Sequence, residues 1–250
     1  MIERWLKAGI LEGGEWRVVE TGSPQGSGIS PILANVFLHY AFDAWISQWH
    51  RRQARGQIVV VRYADDSVVG AEYESDARRL LVALRERLAK FGLALNEGKT
   101  RLIEFGRFAA RRREMAGLRR PETFNFLGFT HYCGTTRSGK FIVKRRTQAT
   151  RMVRKLKELR VEMRKRWHLK VPEQHAWLSQ VLRGHYRYYG LIFNHRSMNQ
   201  FYHLVKRMWF KALQRRSQKS KMNWTKFDRL QTVLPLPRAT IYQSWHGASG

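Results

Sequence analysis

Two adjacent carboxylates, Asp65 and Asp66, stand between two runs of β-branched and apolar residues in the segment 57–70. The runs predict two strands joined by a tight turn, so both carboxylates are expected at the tip of a β-hairpin. Like charges at a tip repel each other, and a bound cation would relieve that repulsion. Mg²⁺ prefers oxygen ligands and commonly takes one or two carboxylates together with water and phosphate oxygens. The pair therefore indicates a magnesium site for phosphoryl-transfer chemistry, although an ordinary solvated Asp-Asp turn fits these residues equally well.

Helices and strands alternate around this hairpin. Pro31 opens an apolar segment of helical spacing that is expected to run to about Arg52. Residues 74–91 predict an amphipathic helix with leucines along one face. The other elements predicted in this half are a helix over 1–9, a strand over 16–20, a hairpin over 93–105, a basic loop over 106–122 and short strands over 123–145 that turn at Ser138 and Gly139.

The pattern becomes entirely helical after Thr147. Helices are predicted over 148–167, 173–192, 197–217 and 224–232. The change of pattern places a domain boundary near residue 147, which gives a mixed domain over 1–147 and a helical domain over 148–250. The expected fold class is α+β.

Charge is distributed very unevenly along the 250 residues. The formal net charge is +28, yet residues 1–105 hold 14 basic and 13 acidic residues, whereas residues 106–250 hold 33 and 6. Such an excess predicts a polyanionic partner bound mainly by the second half. Aromatic residues interleaved with the basic ones favour nucleic acid over a membrane surface.

Two compositional features constrain the setting of the protein. Cys133 is the single cysteine, which excludes an intramolecular disulfide and a multi-thiolate metal site. No stretch approaches the roughly 18 apolar residues of a membrane span. We therefore expect a cytoplasmic protein with no membrane partner.

Residues 63–66 read Tyr-Ala-Asp-Asp between hydrophobic strands, and residues 22–38 upstream contain Pro-Gln-Gly. The first resembles the polymerase motif of reverse transcriptases, the second resembles the PQG motif of that family, and further motifs follow in the family's order. Residues 91–100 and 124–129 resemble the next palm motif and the primer-grip strand. Residues 182–191, Leu-Arg-Gly-His-Tyr-Arg-Tyr-Tyr-Gly-Leu, resemble the maturase-specific thumb of bacterial group II intron proteins. Together these motifs make the resemblance specific.

The resemblance implies a fold and a set of site residues. The fold would be an incomplete polymerase palm, with an antiparallel sheet built on the YADD hairpin, followed by an all-helical thumb bundle. Asp65 and Asp66 would bind catalytic Mg²⁺, and Lys99 would protonate or stabilise the pyrophosphate leaving group, although a solvated turn lysine is equally consistent. The nucleotide-binding residues would be Tyr63, Ala64, Pro24, Gln25 and Gly26. The primer grip would be Phe126, Leu127 and Gly128.

The helical part is implied to bind RNA through its phosphates. Met152, Leu156, Leu159 and Met163 would form the buried stripe of its first helix. The basic residues expected to contact RNA are Arg145, Arg146, Arg151, Arg154, Lys155, Arg183 and Arg187. The aromatic residues between Gly184 and Gly190 allow base stacking, but tight helix packing is the favoured interpretation.

Complete reverse transcriptases carry fingers and an early palm strand with a further metal-binding aspartate before the PQG motif. This chain begins about twenty residues before Pro24, and its acidic residues there are glutamates outside any suitable strand: Glu3, Glu12, Glu15 and Glu20. We therefore expect that the chain does not polymerise unaided and that a missing N-terminal fingers and palm portion is a partner. A truncated reading frame, half of a split enzyme and a fragment kept for RNA binding all remain open.

The leading interpretation is an RNA-directed DNA polymerase of the group II intron type with a maturase role. Its partners would be intron RNA, an RNA template, a DNA primer and deoxynucleotides, with Mg²⁺ as cofactor. A non-catalytic maturase remnant that assists intron folding is the first alternative. A retron or diversity-generating reverse transcriptase is the second, against which the thumb-like stretch argues.

Overall fold

The computed structural model describes residues 10–12, 15–17, 30–216 and 222–243. The chain forms two compact units, residues 1–102 and residues 103–250. None of the helices described is long and apolar enough to span a lipid bilayer. The helix predicted over residues 1–9 lies outside the described residues.

A nearly continuous helical run occupies residues 30–53 of the first unit. It consists of α1 (Ser30–Leu38), a π-helical turn (His39–Asp43) and α2 (Ala44–Gln53). This confirms the helix predicted from Pro31 to about Arg52. Upstream, a short strand β1 (Ile10–Glu12) pairs antiparallel with β2 (Glu15–Arg17), which overlaps the start of the strand predicted over 16–20.

The predicted hairpin around the acidic pair is present. Strand β3 (Ile58–Tyr63) pairs antiparallel with β4 (Asp66–Ala71). Its inner face packs against α2 and against α3 (Glu74–Ala89). Apolar residues recur at every second position of the strands and at every third or fourth position of the helices, so each element presents one apolar face to the others. The buried residues of this core are Phe42, Ile46, Trp49, Ile58, Leu80, Leu84 and Leu88.

Two secondary-structure predictions, for residues 93–105 and 106–122, are wrong. The described residues 93–105 contain no strand, since Leu93 and Leu95 pack against the core of the first unit instead of continuing a ladder. The segment predicted as a basic loop contains a helix, α4 (Ala109–Met115). Its alanine, arginine, glutamate and methionine residues all have high intrinsic helix propensity. The loop prediction rests on the basic charge of the segment, and charge alone does not distinguish a loop from a helix.

The second unit contains a three-stranded antiparallel sheet in the order β5 (Phe124–Phe126), β6 (Phe129–Thr135) and β7 (Phe141–Thr147). These strands and the turn at Ser138–Gly139 confirm the prediction for 123–145. The β5–β6 loop has only two residues, Leu127 and Gly128, both with positive φ (49° and 77°). Two-residue hairpin loops adopt this backbone because its twist matches that of the strands.

The helices predicted after Thr147 are all present. They are α5 (Ala149–Arg166), α6 (Val171–Tyr189), α7 (His195–Gln214) and α8 (Trp224–Val233). The predicted stripe on α5 is buried at Met152, Leu159 and Met163 and packs as expected at Leu156. The large side chains fully enclosed at the centre of this bundle are Trp209, Tyr186, Phe201 and Phe227.

The compact units divide after residue 102, whereas the sequence pattern changes at residue 147. The sheet β5–β7 belongs to the same unit as the helices, and Asn194 supplies one reason. Its Oδ1 accepts a hydrogen bond from the backbone N–H of Thr147 at 2.7 Å, and its Nδ2 donates to the carbonyl oxygen of Tyr189 at 2.8 Å. One buried amide thus joins the end of β7, the end of α6 and the start of α7.

Replacing Asn194 with leucine is expected to lower the free energy of unfolding by about 3 kcal/mol, because the Thr147 N–H and the Tyr189 carbonyl would remain buried without partners. Urea denaturation followed by circular dichroism measures this. Asn199→Leu, on α7, is the control and should change stability by less than about 0.5 kcal/mol. Equal losses in the two variants would contradict the role of the Asn194 amide.

Candidate active site and nucleic-acid interface

The turn that carries the acidic pair is short and exposed. Tyr63 and Asp66 are the last cross-strand pair, and Ala64 and Asp65 connect them. Paired residues project from the same face of a ribbon, so Tyr63 and Asp66 share one face. All four side chains are exposed, with Tyr63 at 66%. The tip is therefore accessible to solvent.

Ala64 has an unusual backbone conformation. Its φ of +52° lies in the left-handed region, which L-residues other than glycine seldom occupy. The Arg62 guanidinium donates from Nη1 to the Ala64 carbonyl oxygen at 2.9 Å. The same guanidinium forms an ion pair with Asp43, at 2.6 Å between Nη2 and Oδ2. The hydrogen bond from Arg62 holds the pKa of the Asp43 carboxyl below its ordinary value, although burial acts in the opposite direction.

Asp65 and Asp66 form no ion pair with any side chain in the described part of the chain. Within that part, no group of three or more histidine, cysteine, aspartate or glutamate residues is placed to hold a metal ion. Two neighbouring carboxylates nevertheless match the donor set of Mg²⁺, which completes its shell with water and substrate phosphate. The pair thus fits a metal that binds together with its substrate.

Lys99 lies in a separate turn of the same unit. The Asn96 carbonyl oxygen accepts hydrogen bonds from the backbone N–H groups of Lys99 (3.0 Å) and Thr100 (2.8 Å). Arg85 on α3 donates two hydrogen bonds to the Glu97 carboxylate, from Nε to Oε1 at 3.0 Å and from Nη2 to Oε2 at 2.9 Å. The turn is therefore anchored to a helix, while the Lys99 side chain is exposed. The other predicted nucleotide-binding residues, Pro24, Gln25 and Gly26, lie outside the described residues.

The predicted primer-grip residues form the end of β5 and the β5–β6 turn in the second unit. Tyr188 donates from its hydroxyl to the Leu127 carbonyl oxygen at 3.0 Å. A methyl group on Gly128 would lie 3.1 Å from the Tyr189 hydroxyl. The Tyr189 ring also packs edge-on against Phe129, with 5.2 Å between ring centroids. The end of α6 therefore braces this turn, a juxtaposition of two predicted motifs that sequence spacing did not reveal.

The aromatic stretch between Gly184 and Gly190 serves mainly in packing, as favoured from the sequence. Tyr186 is buried and donates to the Pro237 carbonyl oxygen at 3.2 Å. His185 is also buried and stacks on Phe201, with 3.7 Å between ring centroids. Tyr188 is the only exposed aromatic residue of this stretch, with 55% of its surface accessible to solvent.

His185 makes the stability of the second unit dependent on pH. Burial, with a smaller effect of the Lys155 ammonium, lowers its pKa from 6.5 to about 4. Because the folded pKa lies below the unfolded value, the unfolded chain binds more protons between these values. The stabilising neutral form is therefore complete above pH 6.5 and is lost as pH falls towards 4.

The free energy of unfolding is expected to fall by roughly 2 kcal/mol between about pH 7.5 and about pH 5 through His185 alone. Urea denaturation at the two pH values measures the fall. His185→Leu should remove that part of it, whereas His203→Leu, at an exposed position on α7, should leave it unchanged. The same pH dependence in His185→Leu and the parent chain would refute the assignment.

The basic residues predicted to contact RNA lie on β7, α5 and α6. Arg146, Arg151, Arg154, Lys155, Arg183 and Arg187 are exposed. Arg145 differs, since it is half-buried and its Nε is enclosed without a hydrogen-bond partner in the described part of the chain. Burial raises the pKa of Tyr189, and the charges of Arg151 and Arg154 oppose that rise. The charges of these two arginines on α5 therefore act on Tyr189, at the end of α6.

Comparison with known proteins assigns the chain to a protein family. The family model for reverse transcriptase (RNA-dependent DNA polymerase) matches residues 1–131, which include the acidic hairpin and β5. The chain belongs to this family. RNA-directed DNA polymerase activity is the activity of this family, and the predicted resemblance to reverse transcriptases is confirmed.

A shorter similarity bears on the type of reverse transcriptase. Over 39 residues the chain is 46% identical to the group II intron-encoded protein LtrA of Lactococcus lactis subsp. cremoris, and the same values hold for LtrA of strain MG1363. The aligned segment covers 16% of this chain and 6% of each relative. This supports the predicted relation to group II intron reverse transcriptases and maturases.

Proposed function

We propose that this chain is an RNA-directed DNA polymerase of the group II intron type with a maturase role. The observation that carries the proposal is the exposed turn of the β3–β4 hairpin, which presents Asp65 and Asp66 within the part of the chain that matches the family. In this proposal the first unit is part of the palm. The helices of the second unit form the thumb.

Asp65 and Asp66 would hold Mg²⁺, with Asp65 as the main ligand and Asp66 beside it. When bound, the metal would assist attack by the primer 3′-hydroxyl and stabilise the pyrophosphate leaving group. The Lys99 ammonium would protonate the leaving group or neutralise its charge. The anchored turn around Asn96 limits the positions that this side chain can reach.

The remaining palm residues would bind the nucleotide. Tyr63 projects from the exposed face of the hairpin together with Val59 and Val61, and this apolar face offers a flat surface to a base or a sugar. Ala64 keeps the tip free of bulk, so that a substrate can approach the backbone. Pro24, Gln25 and Gly26 would line the nucleotide site, where glycine permits close approach of the main chain.

The second unit would hold the nucleic acid. The turn of Phe126, Leu127 and Gly128 would contact the primer strand. The hydrogen bond from the Tyr188 hydroxyl to the Leu127 carbonyl oxygen would keep the turn in place during that contact. Exposed arginines and lysines on α5 and α6 would contact phosphates of template or intron RNA, which provides affinity and salt sensitivity with little sequence preference.

A non-catalytic RNA-binding maturase remnant is the second candidate. It is favoured by the concentration of 33 of the 47 basic residues after residue 105. In that case the protein would assist intron folding through its helical surface. The acidic hairpin would then persist as a structural element alone.

Primer extension on an RNA template with Mg²⁺ distinguishes the two candidates. DNA synthesis by the purified chain that disappears with a chelator would support the polymerase. Tight salt-dependent RNA binding without synthesis would favour the remnant. Synthesis restored by adding a fingers and early-palm segment in trans would identify one half of a split polymerase.

A further inference from the structure

Arg62 lies at the centre of a hydrogen-bond cluster beneath the acidic turn. Its Nε and Nη2 donate to the two carboxylate oxygens of Asp43, at 2.8 and 2.6 Å. Its Nη1 donates both to Asn35 Oδ1 and to the Ala64 carbonyl oxygen, each at 2.9 Å. The planar guanidinium can make these contacts simultaneously because its donors are fixed in a fork. We call these four residues the Arg62 cluster.

The cluster connects the turn to the helical run that supports it. Asn35 lies on α1, and Asp43 is the last residue of the π-helical turn that follows. The Asp43 side chain is 30% exposed and that of Arg62 14%, so the ion pair is largely shielded from solvent. Short π-helical segments are rare and frequently occur at functional sites. Here the segment ends at the residue that orients Arg62.

The turn needs such support for two physical reasons. Ala64 occupies a left-handed conformation that is unfavourable for any residue with a Cβ atom. The next two residues, Asp65 and Asp66, repel each other when no cation is bound. The Arg62 hydrogen bond to the Ala64 carbonyl oxygen fixes the peptide unit that leads directly into this pair.

Asp43 also prevents Arg62 from acting as a competing cation. The bidentate ion pair compensates the guanidinium charge at a distance of 2.6 Å. Neither Asp65 nor Asp66 is paired with a described basic side chain. Both carboxylates are therefore available to an external cation, while the arginine next to the turn is paired with Asp43.

We propose that Arg62, oriented by Asp43 and Asn35, is a positioning residue that fixes the turn carrying Asp65 and Asp66 in the geometry that binds metal and primer end. Its effect on catalysis rests on the proposed function. Its effect on the turn does not, and this difference allows the two ideas to be tested separately.

The first unit provides a matched control for the ion pair. Asp76 accepts from Arg79 Nη2 at 2.6 Å and from the backbone N–H groups of Arg55 and Gly56 at 2.8 and 3.0 Å. This ion pair is as short as that of Asp43 and Arg62, but it anchors the segment before β3 at the opposite end of the strand. Disrupting it should destabilise the unit without releasing the acidic turn.

The decisive comparison uses the full chain with Arg62→Lys, Asp43→Asn, Asn35→Ala and the control Asp76→Asn. Hydrogen–deuterium exchange of peptides that cover residues 63–67 is measured for each, relative to peptides of β3. Lysine keeps the charge but cannot make the forked contacts, so Arg62→Lys should accelerate exchange at the turn by about tenfold or more. Asn35→Ala removes one exposed contact and should fold even where Arg62→Lys does not.

Primer extension supplies the second readout. Arg62→Lys should lower kcat by about 10²-fold and raise the Mg²⁺ concentration needed for half-maximal rate, with KM for the deoxynucleotide little changed. Asp76→Asn should leave both values near those of the parent chain. A merely structural role would not separate kcat and the Mg²⁺ requirement from KM in this manner.

Each outcome decides the proposal. Faster turn exchange together with the loss in kcat supports it. Unchanged exchange at 63–67, equal acceleration in Asp76→Asn, or faster exchange with unchanged kcat overturns it. If the parent chain extends no primer, the proposed polymerase function fails for this chain, and the exchange comparison still decides whether the Arg62 cluster holds the turn.

Discussion

Replacing Asp65 with alanine is expected to lower Mg²⁺-dependent DNA synthesis by at least about 10³-fold, in whichever preparation of this chain extends a primer. Phosphoryl transfer depends almost entirely on positioning and on charge stabilisation, so the loss of a metal-binding carboxylate removes most of the rate. Asp66→Ala should have a smaller effect if Asp66 contributes indirectly. The measurement is single-nucleotide incorporation on an RNA template at saturating deoxynucleotide.

A carboxylate of the same unit serves as the control for this substitution. Glu74 is exposed at the start of α3 and forms a surface ion pair with Arg78. Glu74→Ala should retain nearly the full rate, because surface pairs of this kind contribute little to stability. An Asp65→Ala variant that keeps more than about a tenth of the parent rate, while remaining folded, would rule out Asp65 as the main metal ligand.

Neutralising Arg151, Arg154 and Lys155 together is expected to produce the largest change in RNA binding. These residues occupy one exposed face of α5 at helical spacing. Their charges act on α6, because those of Arg151 and Arg154 oppose the rise that burial causes in the pKa of Tyr189, and that of Lys155 adds to the lowering that burial causes in the pKa of His185. If each contacts a phosphate, the slope of log K against log salt should decrease by about 2 to 3. Filter binding or fluorescence anisotropy across a salt series measures it.

The same helix supplies a control of equal charge. Lys157, Arg160 and Arg164 form a different exposed face of α5, and replacing all three with glutamine removes the same formal charge. This variant should change the salt slope by less than about 1. Equal effects of the two triple variants would mean that RNA responds to the total charge of the helix instead of to the face beside α6.

Most secondary structure was predictable because it depends on short-range patterns. The β3–β4 hairpin followed from two runs of β-branched residues on either side of a polar turn, and the helices after Thr147 followed from their apolar period. The hairpin predicted over 93–105 failed because Leu93 and Leu95 find their burial against helices. An alternation of two leucines does not specify whether a strand partner or a helix will cover them.

The acidic pair, the family and the charge asymmetry were determined by the sequence alone, since each is a property of residue types and their order. Tertiary structure alone decided how the candidate site is supported. Arg62 and Asp43 are 19 residues apart, and Tyr188 and Leu127 are 61 residues apart, so no local period links them. Hydrogen bonds between such residues exist only after the separate elements pack, and these contacts fix the two turns on which the proposed function depends.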